Sequence, residues 1–132
     1  ASMLETINDT RSEHIITIED PVEYIFQNKK SIISQREVGR DTISFKNAIR
    51  SVMREDADIV VIGEIRDTET MESAISLAET GHLVFATLHT ASSVQTITRI
   101  IQFFPPELEA QARTRISESL IGVLSQRLIP KK

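Results

Sequence analysis

Asp58-Ile59-Val60-Val61-Ile62-Gly63-Glu64 (DIVVIGE) sets four consecutive β-branched apolar residues between an aspartate and a Gly-Glu pair. An unbroken apolar run of this length suits a central parallel strand covered on both faces. Upstream, Ser44 can cap a helix whose apolar positions are Phe45, Ala48, Ile49, Val52 and Met53, the stripe of a helix lying on a core. Downstream, Asp67 or Thr68 can cap a second helix, with Met71, Ala74, Ile75 and Ala78 inward and Gly81 as its stop. Leu83–Leu88 (LVFATL) predicts another apolar strand, and Ala91–Gln102 a helix ended by Pro105-Pro106.

Further from this centre, His14–Glu19 (HIITIE) is a β-branched run long enough for a buried strand, and Asp20-Pro21 ends it. Val22–Gln27 and Ser31–Val38, separated by Asn28-Lys29-Lys30, predict a hairpin. Ala1–Arg11 reads as a helix already under way, with Met3, Leu4 and Ile7 on one side. From Glu107 onward Leu108, Ala112, Ile116, Leu120, Leu124 and Leu128 recur every four residues, which predicts a helix with a break near Gly122. Alternating strands and helices imply right-handed crossovers, hence one α/β domain with a mostly parallel sheet flanked by helices.

The composition narrows the functional classes. The 132 residues are 40% hydrophobic and 26% charged, enough for one domain with a core and too few for two. A net charge of −4 offers no bulk basic surface for a polyanion, and aromatics at 5% without tryptophan supply few stacking platforms, against a nucleic-acid translocase. The absence of cysteine excludes disulfides, thiolate metal sites and cysteine nucleophiles within these residues. No stretch approaches 18 uninterrupted apolar residues, so no membrane span is expected.

In open α/β sheets ligands bind beyond the carboxyl ends of the strands. Glu19, Asp20 and Glu23 follow the first strand; Gly63, Glu64, Arg66 and Asp67 follow the central one; His89 and Thr90 follow LVFATL. Glu64 ends an apolar strand in the manner of a Walker B carboxylate, presented to Mg²⁺ or to an attacking water; the bland alternative is a strand-end acid paired with Arg66. Glu23 can orient or deprotonate a water, or be a solvated loop acid. His89 can contact a γ-phosphate, or simply be hydrogen-bonded. His82 opens the same strand, just after Gly81, which favours a structural role. With no third ligand at a recognisable spacing, His82 and His89 do not make a metal site. Arg50 and Arg54, four apart and opposite the apolar stripe, can reach phosphate or a neighbouring subunit, or form a solvated face paired with Glu55 or Asp56. The only glycines are Gly39, Gly63, Gly81 and Gly122, so neither G-x-x-x-x-G-K-[ST] nor G-x-G-x-x-G occurs in this stretch.

Several segments together resemble a known family. Ile18–Glu23 (IEDPVE) resembles the Asp box of the secretion ATPases of type II secretion and type IV pilus systems. Ile59–Arg66 (IVVIGEIR), with Ile59–Glu64 as its core, resembles their atypical Walker B, and Ala78–Thr90 (AETGHLVFATLHT) their His box. Gln35–Asp41 (QREVGRD), Arg50–Asp56 (RSVMRED) and Phe103–Pro106 (FFPP) resemble the PilT-like pilus-retraction branch in particular. The similarity runs from Ala1 to about Pro130.

The resemblance implies a RecA-like P-loop NTPase core, with residues 1–132 as a partial ATPase domain. It implies a cytoplasmic homo-hexamer, peripheral to the inner membrane, that uses ATP and Mg²⁺ and works with an inner-membrane pilus platform protein. Residue by residue, Glu23 would position the catalytic water, Glu64 would serve the Mg²⁺-linked water network, and His89 would contact the γ-phosphate region. His82 would be a supporting member of the His box, Gly63 part of the nucleotide-binding Gly-Glu, and Arg50 and Arg54 would neutralise phosphate at or across a subunit interface. The family's P-loop would lie immediately upstream, with Ala1–Arg11 continuing the helix it opens. Residues 1–132 alone are therefore expected to bind nucleotide weakly or not at all, and to self-associate through an opened sheet edge. The alternatives are a secretion or pilus-assembly ATPase, a RecA-like translocase, or a non-catalytic interaction module.

Overall fold

A computed structural model of the chain describes residues 1–126 and 128. The elements run α1 (Ser2–Thr10), β1 (His14–Glu19), β2 (Ile32–Glu37), α2 (Phe45–Val52), β3 (Ile59–Ile62), α3 (Thr68–Glu79), β4 (Leu83–Ala86), α4 (Ser93–Ile101), a 3₁₀ turn (Pro106–Leu108) and α5 (Glu109–Ser119). The four strands form one parallel sheet in the order β2-β1-β3-β4. The DIVVIGE run is thus an interior strand, as its unbroken hydrophobicity requires.

Strand alternation divides the core in two. Ile16, Ile18, Val60 and Ile62 face one side, where they pack with Ala48, Ile49 and Val52 of α2, Met71, Ala74, Ile75 and Leu77 of α3, and residues of α4 and α5. Ile15 and Ile59 face the other, under Leu4 and Ile7 of α1, with Val61, Leu83 and Phe85 only partly buried there. Helices therefore cover both faces, one thickly and one thinly. Met3 and Met53, expected inward, are about half exposed, because each lies at the edge of its helix's stripe.

The helix ends follow their sequence signals. Ser44 accepts a hydrogen bond from the Asn47 amide and Asp67 from the Thr70 amide, each satisfying a donor that a helix start leaves free. Gly81 stops α3 at φ +99°, a left-handed conformation in which a Cβ would be strained.

Three expectations are corrected. Val22–Gln27 is not a strand and there is no hairpin: β2 lies parallel to β1, His14 opposite Ile32 and Glu19 opposite Glu37. Residues 20–31 make the crossover without a helix, held by side chains instead of a ladder. Asn8, fully buried on α1, donates to the Gln27 carbonyl at 2.8 Å and accepts from the Lys29 amide at 3.1 Å. The Lys29 ammonium meets Asp9 at 2.7 Å and Glu5 at 3.0 Å, which together hold it charged well above the usual lysine range. Strand β4 ends at Ala86 rather than Leu88. Helix α5 ends at Ser119; Leu120, Leu124 and Leu128 are exposed and non-helical. Its buried face reaches only as far as Ala112 and Ile116, and without a surface beyond them helix propensity alone does not sustain further turns. Of the expected similarity up to Pro130, positions 127, 129 and 130 lie outside the described residues.

Arg115 fastens α5 to α3, with Nε 2.6 Å and Nη2 2.7 Å from the two Glu79 carboxylate oxygens and a third bond to Ser76. This bidentate partner lowers the Glu79 carboxyl below the usual glutamate range against a smaller opposing effect of desolvation. A depressed folded-state value means stability that is fully present above the unfolded pKa of about 4.3 and is lost as pH falls through the lower, folded value. NMR titration should place the Glu79 midpoint below that of a free glutamate, and Arg115→Met should restore it. The stability difference between the two proteins should disappear on acidification; a difference independent of pH would refute the ion pair.

Candidate functional site

Adjacent parallel strands end side by side, so the residues that follow them share one rim. Ile18 pairs with Ile62, and Ile62 with Ala86. The pairing continues past the strands: the Gly63 amide donates to the Ile18 carbonyl at 2.7 Å and the Ile65 amide to Thr87 at 3.1 Å. The Thr87 hydroxyl in turn donates to the Gly63 carbonyl. Gly63 is fixed here by space. A Cβ at this position would sit 3.1 Å from the Ile18 carbonyl oxygen and 3.2 Å from Glu19 Cα, both backbone atoms that would have to shift to admit it.

This anchoring delivers Glu64 to the rim with its side chain only 13% exposed. His89, at the end of β4 and almost wholly exposed, brings Nε2 to 3.2 Å from Glu64 Oε2. The other oxygen, Oε1, is buried and takes no hydrogen bond. The exposed guanidinium of Arg66 lies against it as an ion pair, and reaches Asp20 at the end of β1 at 3.8 Å. Desolvation works against ionisation of Glu64; Arg66 and His89 outweigh it and hold the carboxyl below its usual range. Glu64 is therefore an anion at neutral pH, and a hard cation or a water would reach its Oε1 by displacing the exposed Arg66 guanidinium.

Of the residues predicted to act together, Glu64 and His89 meet directly and Gly63 supports them. Glu23 follows β1 at the same rim and is exposed; among the described residues no hydrogen bond or ion pair joins it to Glu64 or His89. The pairing of Glu64 with Arg66, the bland alternative, is also present.

Arg50, Arg54 and His82 are not brought to this rim. Helix α2 runs back from the carboxyl to the amino ends of the strands, and Arg54 follows its last turn. Arg54 and His82 instead line a cavity of about 680 Å³ at the amino ends of β1, β3 and β4, with Arg11, Asp56 and Asp58. His82 Nδ1 lies 3.1 Å from the Leu77 carbonyl, a donor to the last turn of α3. His82 thus sits a strand's length from His89 and bonds the helix before it, the structural role that a place at the start of the strand suggests. Glu55 pairs with Arg36, not with Arg50 or Arg54.

Sequence reasoning missed Gln35 and Glu37 on β2. Gln35 hydrogen-bonds the Phe26 amide, the Tyr24 carbonyl and Glu19, while Glu37 accepts from the Val22 amide. Their i, i+2 spacing within QREVGRD was the available signal, since alternate strand residues share a face.

This parallel α/β rim, with a strand-end glutamate facing a histidine, has the layout of a nucleotide-hydrolysing core. The family model described as "Type II/IV secretion system protein" matches residues 1–132, and the chain belongs to that family. It is 53% identical over 131 residues to the type IV pilus retractation ATPase PilT of Pseudomonas aeruginosa, covering 99% of this chain and 38% of that protein. It is 50% identical over 129 residues to a twitching motility protein of Neisseria gonorrhoeae, covering 98% of this chain and 34% of that one. The crystal structure of the pilus retraction motor PilT with bound ADP superposes with a TM-score of 0.94 at 56% identity, over 98% of this chain and 38% of that chain. The chain thus spans little more than a third of the length of each. Among the described residues no helix is long and apolar enough to cross a membrane.

Proposed function

We propose that this chain is the catalytic-rim portion of an ATP-hydrolysing motor that powers type IV pilus retraction. The observation that carries the reading is the Glu64–His89 pair at the carboxyl rim, in a chain half identical to retraction and twitching proteins. Glu64 holds a negative charge at a desolvated oxygen, and Glu23 on the neighbouring strand's exit loop orients the attacking water and takes its proton. His89, exposed at the mouth, donates to the γ-phosphate as charge develops there. The buried Glu64 Oε1, faced only by an exposed and displaceable guanidinium, fits a Mg²⁺ site of the kind that uses one carboxylate and completes itself with phosphates and water. Glu64 would hold the ion there, and the chemistry it would supply is neutralisation of phosphate charge.

Arg50 and Arg54 lie away from this rim, so in this reading they reach nucleotide only from a neighbouring subunit of a homo-hexamer. The ring would work in the cytoplasm against the inner membrane, on a pilus platform protein. The names of the two relatives favour retraction over the secretion or assembly branch.

The test is Mg²⁺-dependent phosphate release from ATP by the full-length protein, paired with deletion of its gene. Hydrolysis, together with a strain that keeps its surface pili but no longer twitches, is the expected result. Absence of hydrolysis sinks the motor reading, and loss of the pili themselves would point to assembly.

A further inference from the structure

We infer that Gln35 and Glu37 are positioning residues that hold Glu23 in its working place. The inference rests on the reading of Glu23 as the residue that orients water.

Both residues project from the face of β2 that carries Ile33, toward the crossover segment. Glu37 Oε2 accepts from the Val22 amide at 3.0 Å. Gln35 donates through Nε2 to the Tyr24 carbonyl at 2.8 Å and accepts through Oε1 from the Phe26 amide at 2.8 Å. The bonded groups belong to residues 22, 24 and 26. In an extended chain alternate residues turn their backbone groups to one side, so two side chains of β2 do for this segment what a neighbouring strand would do. Glu23 is bracketed, with the bonded residues Val22 before it and Tyr24 after it.

Gln35 is itself fixed. Its second amide proton goes to Glu19 Oε1 at 3.1 Å, and that oxygen also accepts from Thr17 at 2.6 Å. Thr17 and Glu19 are the register partners of Gln35 and Glu37 on β1. The Glu23 backbone is therefore referenced, through two side chains, to the strand beside the one that carries Glu64. Glu23 and Tyr24 are exposed and Phe26 half-buried, so water can replace these bonds. Their loss should cost place rather than fold, and a small displacement of a catalytic group is costly to rate.

The experiment is a double-substitution cycle in the full-length protein, read as kcat and KM for ATP hydrolysis and as thermal midpoint. Gln35→Leu should lower kcat roughly 10- to 100-fold with KM and midpoint little changed. Glu37→Gln, which keeps an acceptor for Val22, should retain most activity where Glu37→Ala does not. In a Glu23→Gln background, Gln35→Leu should cost nothing more, because it acts through Glu23. An unchanged kcat in Gln35→Leu, or a further loss on top of Glu23→Gln, overturns the inference. Full activity of Glu23→Gln alone removes the water-orienting role and the inference with it. Absence of hydrolysis in the unsubstituted protein is the separate failure of the motor reading.

Discussion

Glu64→Gln in the full-length protein should reduce ATP turnover by about 10²–10⁴-fold while leaving nucleotide bound. The substitution keeps shape and volume and removes one charge. That charge sits on a side chain only 13% exposed, with Arg66 on one oxygen and His89 on the other. Neutralising it releases both partners and replaces one carboxylate oxygen with an amide nitrogen, which cannot accept a proton or ligate a hard cation. In this reading Glu64 serves the phosphates only through Mg²⁺, and glutamine keeps one oxygen that can ligate it, so affinity should fall far less than turnover. Phosphate release gives the rate and fluorescent-nucleotide titration the affinity. A variant that hydrolyses ATP at the original rate would place the chemistry elsewhere. Because Arg66 and His89 hold the carboxyl below its usual range, Glu64 stays ionised through the neutral region. Its contribution should fail only under acid conditions, below the pH at which a free glutamate titrates.

Gly63→Val should destabilise the fold and misplace the rim at once. By propensity alone valine would extend Ile59–Ile62 favourably, by up to about 1 kcal/mol. Sterics oppose this. A Cβ would stand 3.1 Å from the Ile18 carbonyl and 3.2 Å from Glu19 Cα, and the Gly63 amide is bonded to that same carbonyl at 2.7 Å. Relief requires β3 to part from β1 at its end, and overpacking of this kind costs about 1–3 kcal/mol. Sterics win. The predicted result is a lower thermal midpoint, together with a kcat loss that persists well below the unfolding range. Thermal melts and phosphate release check it. An unperturbed midpoint would mean that the two strand ends can separate freely.

The two expectations that failed outright, the hairpin and the long terminal helix, failed for one reason. Periodicity reports which residues can form an element, and burial against a partner decides which do. Val22–Gln27 has strand-like composition, but its hydrogen bonds go to Gln35, Glu37 and Asn8 rather than to a neighbouring backbone. Leu120, Leu124 and Leu128 continue a helical spacing past the surface that could bury it. The place of His82 was legible: in a parallel sheet a residue that opens β4 lies at the rim opposite to Glu64 and His89, which follow strand ends.

From the chain alone came the α/β class, the places of all four strands, the caps at Ser44, Asp67 and Gly81, and the delivery of Glu64 and His89 to strand ends. All of these are local, written in runs, spacings and caps within one element and its neighbours. The order β2-β1-β3-β4, the meeting of Glu64 with a histidine 25 residues away, the reach of Arg66 to Asp20, and the side-chain clamp on either side of Glu23 belong to the tertiary structure. They depend on which strands become neighbours, and that is decided by the packing of two core faces at once, a property no single segment carries.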